Sequence, residues 1–247
     1  MPDFFTLTVV FLTFLLAGAV KGVIGMGLPT VSIGLLGLLM TPAQAAAILV
    51  LPTLITNIWQ SVAGRGFFTL LRRLWLLFAG IFVGSYISAV WLGSVNSPWA
   101  STALGVALVL YSALGLSNIH FTVPPQTEWW LAPIVGVLNG IVSAATGVFS
   151  LPALPYLHGL HLDRDDLVQA LGLLFTVSTI ALAAVLMHGG VLHYSAVGLS
   201  LVAVAASLLG MVLGQLVRDR VKPETFRLFF FIGLLLLGAH LALHGLL

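Results

Sequence analysis

The sequence has no cysteine. That excludes disulfides, thiolate metal sites and thiol chemistry, and it leaves the redox compartment unread. Charge is scarce too. Asp, Glu, Lys and Arg make up 6% of the chain, against roughly 25% in an average soluble domain. Hydrophobic residues make up 60% before the 26 glycines are counted. A soluble globular enzyme could not keep such a surface in water, and a disordered chain needs the opposite composition. What remains is a polytopic membrane protein. At about 20 apolar residues per span, the chain has room for at most about ten membrane-entering segments. The formal net charge of +2 gives no reason to expect nucleic acid.

Several chemistries lack their residues. No G-x-x-x-x-G-K-[ST] occurs, so the chain does not use ATP, and no H-E-x-x-H or G-x-S-x-G supports intramembrane hydrolysis. The expectation is no enzyme, no cofactor and no metal. All seven acidic residues (Asp3, Glu128, Asp163, Asp165, Asp166, Asp219 and Glu224) lie at segment ends or in loops. No carboxylate is available at mid-membrane for a proton relay or a sodium site. Coupling must then use Lys21, a histidine, the substrate's own proton or the membrane voltage. An inside-negative potential favours anion export by about 2.3 kcal/mol per charge per 100 mV. Export of an anion therefore needs no coupling ion, whereas concentrative uptake does.

Hydropathy marks segments 4–22, 28–40, 43–63, 74–93, 98–117, 129–146, 148–158, 166–187, 195–217 and 226–245. The first has the length and small-residue end of a signal peptide, but Asp3 precedes it and no Lys or Arg does, so it reads as a retained membrane helix. Leu28–Met40 and Val148–His158 are short. As helices they reach only about 16–20 Å, less than a hydrocarbon core of about 30 Å. They read as arms of hairpins that turn back inside the bilayer. Trp59, Trp75, Trp91, Trp99, Trp129 and Trp130 lie mainly near segment ends, as an aromatic belt would.

Positive residues in short loops set the orientation. Arg65, Arg72 and Arg73 precede the fourth segment, and Arg218, Arg220, Lys222 and Arg227 separate the last two. Both loops are expected in the cytoplasm. The loops Gly93–Ser97 and His188–Tyr194 carry no Lys or Arg and are expected outside. Counting crossings puts Thr41-Pro42 outside, the loop His158–Asp166 inside and both chain ends outside. The location is the cell (inner) membrane, and the structural partner is the lipid bilayer. A homo-oligomer stays open.

The chain also repeats itself. Gly18-Ala-Val-Lys21-Gly22 reads against Gly136-Val-Leu-Asn139-Gly140, and each is followed by a small-residue break and a proline, Pro29 or Pro152. Pro42–Gln60 reads against Arg164–Leu182, which sets Thr56 and Asn57 opposite Ser178 and Thr179. The Gly80/Gly84/Ser88 series reads against Ala206/Gly210/Gly214, and Gly115 matches Gly238. The offset stays between 118 and 126 residues. The expected architecture is an all-α polytopic membrane protein with two repeats, 1–118 and 128–247, in a single transmembrane domain. Each repeat is a broken hairpin plus three transmembrane helices. Three crossings separate equivalent points, so the second copy is upside down, an inverted-topology repeat common among transporters.

Non-helical backbone inside a membrane is tolerated only where it is buried in protein or faces a water-filled cavity. The breaks Gly25–Pro29 and Ser143–Pro152 are therefore expected to meet at mid-membrane. The arms beginning near Leu28 and Val148 present helix N-termini, whose free N–H groups favour an anion. Gly25, Gly27, Pro29, Ser143, Thr146, Gly147 and Ser150 are the candidate binding residues of the breaks. Glycines there could also serve only tight helix packing, and Gly18/Gly22 with Gly136/Gly140 fit that reading well. Lys21 would attract the anion, or else would snorkel to the cytoplasmic surface. Its repeat mate Asn139 can still donate hydrogen bonds. Thr53, Asn57 and Gln60 share one helix face, and so do Gln169, Thr176 and Thr179. These stripes suggest a shared hydrophilic cavity, with interhelical hydrogen bonding as the plainer alternative. The four-residue series of small residues are helix contacts. His158-x-x-His161 beside Asp163, Asp165 and Asp166 could bind a metal or proton, but a solvated helix-capping loop fits it better. His240 and His244 have no nearby carboxylate and make a poor metal site.

The segments Lys21-Gly-Val-Ile-Gly-Met-Gly-Leu-Pro29, Thr41-Pro-Ala-Gln-Ala-Ala-Ala47, Asn139-Gly-Ile-Val-Ser-Ala-Ala-Thr-Gly147 and Gln169-Ala-Leu-Gly172 carry a resemblance over nearly the whole chain. It resembles the sulfite exporter TauE/SafE family of bacterial membrane proteins. The resemblance implies transport of sulfite, sulfonates or related small anions. The chain departs from the family's longer glycine runs: Leu28-Pro29 follows Gly27 directly, and Ala144-Ala145-Thr146 stands where glycines are common. The expected function is a secondary transporter, an exporter of small anions. Lys21, the two breaks, Asn57, Gln60 and Thr179 would form the site. An anion channel is the alternative, ahead of an accessory or intramembrane enzyme subunit.

Overall fold

A computed structural model describes residues 3–92, 99–117, 121–191, 195–218, 220 and 223–244. The expected external loop Gly93–Ser97 lies outside these residues, as do Asp219, Lys222 and the 192–194 part of the loop His188–Tyr194. Among the described residues the chain is all helix and has no strand.

The described residues form eleven α-helices: α1 (Phe4–Ile24), α2 (Leu28–Leu36), α3 (Pro42–Val62), α4 (Phe67–Arg73), α5 (Trp75–Ile87), α6 (Ala100–Leu116), α7 (Glu128–Thr146), α8 (Ala153–Gly159), α9 (Arg164–His188), α10 (Ser195–Arg218) and α11 (Pro223–His244). A π-helical stretch, Ser88–Leu92, continues α5. Six helices are long and apolar enough to cross a membrane, or up to seven if α4 and the helix after it count as one span bent by 60°. The protein is an all-α, multi-pass membrane protein. The Arg65–Arg73 segment, expected as a loop, contains α4, and the bend falls at Leu74 where the chain enters the apolar run.

The long helices pair across the two halves of the sequence. α1 packs mainly on α10, α5 on α7, α6 on α11 and α3 on α9. Small residues allow the first two contacts. A methyl group at Gly18 or Gly22 would overlap the carbonyl of Ser207 or Met211, and one at Gly210 or Gly214 would overlap that of Leu15 or Ala19. Gly80 and Gly84 meet the carbonyls of Pro133 and Val137, while Gly136 and Gly140 meet those of Leu77 and Ile81. With lipid as apolar as leucine, such close backbone approach is what drives helix association.

The helix ends follow local chemistry. Pro42 occupies the first turn of α3, and Thr41 and Gln44 cap it reciprocally, with Gln44 N–H donating to Thr41 Oγ1 at 3.3 Å and Thr41 N–H to Gln44 Oε1 at 3.1 Å. α9 starts at Arg164, with Asp165 and Asp166 in its first turn, where carboxylates favour the helix dipole. The short arms are shorter than the apolar runs suggested. Helix α2 ends at Leu36, and the second arm becomes helical only at Ala153, so neither arm spans.

Candidate functional site

The two breaks begin in the same way. α1 stops at Gly25 and α7 at Gly147, both left-handed, at φ 79° and φ 74°. Each glycine N–H turns back to the helix, to Lys21 O or to Ser143 O, both at 2.7 Å. This is the left-handed cap that glycine adopts without a Cβ penalty.

Beyond the caps they differ. At Gly25 a Cβ would meet open space, and Gly25 and Met26 line a cavity of about 860 Å³. Among the described residues the N–H groups of Met26, Gly27 and Leu28 have no protein acceptor. Pro29 stands in the first turn of α2, but Gly27, Leu28 and Pro29 are buried and do not line the cavity. At Gly147 a Cβ would run into the side chain of Ile33, which comes from α2 of the other half. Val148 N–H donates to Thr146 Oγ1 at 3.1 Å, and Thr146 Oγ1 donates to Val142 O at 2.7 Å. Ser143 Oγ donates to Gly140 O at 3.1 Å. Ser150 is buried, and its carbonyl accepts from Leu154 N–H at 2.9 Å. The second break is thus filled and internally bonded, whereas the first faces the cavity. The helix N-terminus expected near Val148 is not formed: α8 starts at Ala153 and has 7 residues.

Asn139 explains part of the difference. With its amide nitrogen toward the break, it donates to the carbonyls of Phe149 at 3.0 Å and Leu151 at 2.8 Å. The oxygen then faces the hydroxyl of Ser178, 3.4 Å away. Asn139 pins the second break to α7 and α9. Lys21, its counterpart in the first half, cannot accept hydrogen bonds and makes different contacts. Lys21 is 3% exposed, so it does not snorkel. Its Nζ donates to Thr56 Oγ1 at 3.2 Å and to Asn57 Oδ1, both on α3. It lines the same cavity as Gly25. Among the described residues the one ion pair is Arg73–Glu128, at 2.8 Å, so Lys21 has no carboxylate partner there. The Asn57 amide nitrogen and the Thr53 hydroxyl, both fully buried, have no partner either.

The polar stripes divide between the two expectations. Gln60 lines the cavity, and its Nε2 donates to Gly25 O at 3.1 Å and to Val168 O at 2.9 Å. Gln169 answers from α9, with Nε2 donating to Ser61 O at 2.6 Å and Oε1 accepting from Gly66 N–H at 3.0 Å. The two glutamines cross-link α3 and α9. Thr179 is buried and bonded to its own helix at Phe175 O, 2.6 Å away, and Thr176 does the same to Gly172 O. Neither lines the cavity.

Residues that the sequence did not single out complete the site. Arg164, Arg218 and Arg227 line the cavity together with Glu224 and His158. Trp59, Leu116, Leu171 and Phe231 supply apolar wall. Arg227 donates to Gly115 O at 3.2 Å and sits 5.9 Å over the Phe231 ring, a cation–π contact. Tyr111 on α6 reaches the first break, with its hydroxyl 3.8 Å from the Met26 sulfur. In the sequence Arg218 and Arg227 mark only topology. No group of three or more His, Asp or Glu suited to a metal occurs among the described residues. The His158/His161 loop and the His240/His244 pair, whose rings stand 4.6 Å apart, hold no such cluster.

The resulting site is a basic, partly apolar cavity ending at a helix break, a buried ammonium and unpaired backbone N–H groups. Such a set receives an anion. No curated protein and no solved structure matches the chain. The family described as Sulfite exporter TauE/SafE matches residues 10–241, nearly the whole length. The chain belongs to the TauE/SafE family of sulfite exporters, which are membrane transporters of anions.

Proposed function

We propose that this chain is a secondary transporter that exports a small anion, sulfite or an organosulfonate, across the inner membrane. The observation that carries the reading is the position of Lys21. It is a buried ammonium without a carboxylate, on the wall of a cavity that also reaches the break at Gly25. The anionic head meets Lys21 and the free N–H group of Met26, at the break after Gly25. Gln60 holds the break from the side, and Asn57 holds Lys21. Asn139, Ser143, Thr146, Gly147, Ser150 and Thr179 belong to the closed second half and do not line the cavity.

Charge placement supports an opening toward the cytoplasm. Arg164, Arg218 and Arg227 ring the cavity, and the side rich in Lys and Arg is the inner side. Both chain ends then lie outside. The cross-half pairing of α1 with α10 and α5 with α7 supports two inverted repeats, 1–118 and 128–247, that rock against each other for alternating access. Ile33 over Gly147 favours a carrier over a channel, because the second break is closed while the first is open.

A thermal-shift screen of purified protein with sulfite, sulfate, thiosulfate, sulfoacetate and simple carboxylates tests this. A substrate at 100 times its Kd stabilises the native state by about 2.7 kcal/mol. A sulfur oxyanion or sulfonate that stabilises more than the carboxylates do is the expected result. Equal response to all, or to none, removes the assignment.

A further inference from the structure

Lys21 has a feature that anion binding alone does not need: its surroundings accept it with or without its proton. Lys21 is 3% exposed on α1 and reaches α3, where its hydrogen-bonding neighbours are a hydroxyl and an amide. Both neighbours are two-faced. The Asn57 amide presents Oδ1 to the ammonium, and its unpartnered Nδ2 lies in the same buried group. Turned over, that amide donates to the lone pair of a neutral amine. Thr56 Oγ1 accepts from the ammonium and donates to Pro52 O at 2.8 Å, and its proton can turn to the amine instead. A carboxylate in this place would hold the lysine charged at all times. None is there, since α2 and α3 carry no titratable residue.

Other titratable groups reach the cavity from the surrounding helices. α8 brings His158, α9 Arg164, α10 Arg218, and α11 Glu224 and Arg227. α6 brings Tyr111, at the Met26 sulfur. The arginines stay charged, so Lys21, His158 and Glu224 are the cavity groups that can exchange a proton with water, and of these Lys21 alone lies at the break with Gly25 and Met26. An ammonium buried without a counter-charge is costly, and an incoming anion supplies that counter-charge.

We propose that Lys21 is the proton carrier of transport: it takes a proton from water when the anion binds and returns it to water when the anion leaves. This rests on the anion site proposed above. The step is a protonation only. The Nζ lone pair accepts a proton as the anion arrives, the ammonium–anion pair crosses with no net charge, and N–H heterolysis after release returns the proton on the far side. The empty carrier resets with Lys21 neutral. Membrane voltage then drops out, and an exterior more acid than the cytoplasm opposes export, so efflux needs an outward anion gradient larger than the pH difference. Such a carrier suits relief of a high internal anion concentration.

Calorimetry on full-length protein in nanodiscs tests the inference. The probes are methanesulfonate and 2-hydroxyethanesulfonate, which carry no titratable proton near neutral pH. Binding heats in buffers of different ionisation enthalpy count the protons taken up. The expected result is a pH at which uptake approaches about one proton per anion. Lys21→Arg, a fixed charge, should still take the anion, more weakly, with no uptake. Should that variant not fold, Asn57→Asp serves, because its carboxylate keeps Lys21 charged and should abolish uptake as well. Binding to the wild type without uptake at any pH would overturn the inference and leave the anion site standing. Uptake that survives in Lys21→Arg would assign the proton to another group, His158 first, and would also overturn it. Failure of the wild type to bind either probe would overturn the anion site, and this inference with it.

Discussion

The ammonium of Lys21 in α1 donates to the amide oxygen of Asn57 in α3, and the nitrogen of that amide has no acceptor. A buried charge is thereby held by neutral groups alone, at the wall of a cavity that reaches the break after α1. Burying such a charge is expensive and replacing it by an apolar side chain is often stabilising. A site retained for binding should therefore lose function and gain stability when the charge is removed.

Lys21→Met makes this concrete. The unliganded variant should melt at the same temperature as the wild type or higher. Its affinity for the stabilising anion should fall at least about tenfold, or about 1.4 kcal/mol. Thermal shift with and without anion reads both effects.

Gly147 and Ile33 offer a second contrast. Gly147→Ala forces a left-handed backbone on alanine, costing roughly 1–2 kcal/mol, and pushes a methyl into Ile33. Gly25→Ala carries the same backbone cost but meets open space. The Gly147 variant should be the less stable of the two. Ile33→Ala should recover part of the difference in a double-mutant cycle, with a coupling of about 0.5–3 kcal/mol.

Gly84 packs against the Val137 carbonyl, whereas a Cβ at Gly198 or Gly233 would touch nothing. Gly84→Ala should separate α5 from α7 and lower the melting temperature sharply. Gly198→Ala should leave it unchanged or raise it, since alanine is favoured over glycine in a helix by about 0.8–1.0 kcal/mol. Melting of the two purified variants side by side checks this.

The orientation is open to a direct test because the chain has no cysteine. Leu39→Cys before α3 should react with an impermeant maleimide in intact cells. Asp165→Cys at the start of α9 should react only after permeabilisation. Both residues precede or open repeat-related helices, so labelling from the same side would contradict the inversion.

Much of the architecture was legible in the sequence. The apolar runs marked the long helices, Gly-Pro punctuation marked the breaks, and four-residue spacing of small residues marked contact faces on α1, α5, α7 and α10, though not which helix meets which. The unequal fates of the two breaks were not legible. They depend on Ile33 from one half landing on Gly147 of the other, and on Asn139 having an amide that can bond Phe149 and Leu151 where Lys21 has only donors. Neither follows from spacing along the chain. The arginine wall was hidden for the same reason, since Arg164, Arg218 and Arg227 come together only when α9, α10 and α11 pack. Thr179 pointed the other way: its face suggested a cavity, and its hydroxyl is bonded to its own helix.

A density map of the protein saturated with sulfite, or with the sulfonate that stabilises it most, tests the central claim most directly. Density for the anion is expected between Lys21 Nζ and the backbone of Gly25 and Met26, in the cavity. Anion density at the Ser143–Pro152 break instead, or an empty cavity in protein shown to carry the anion, would contradict it.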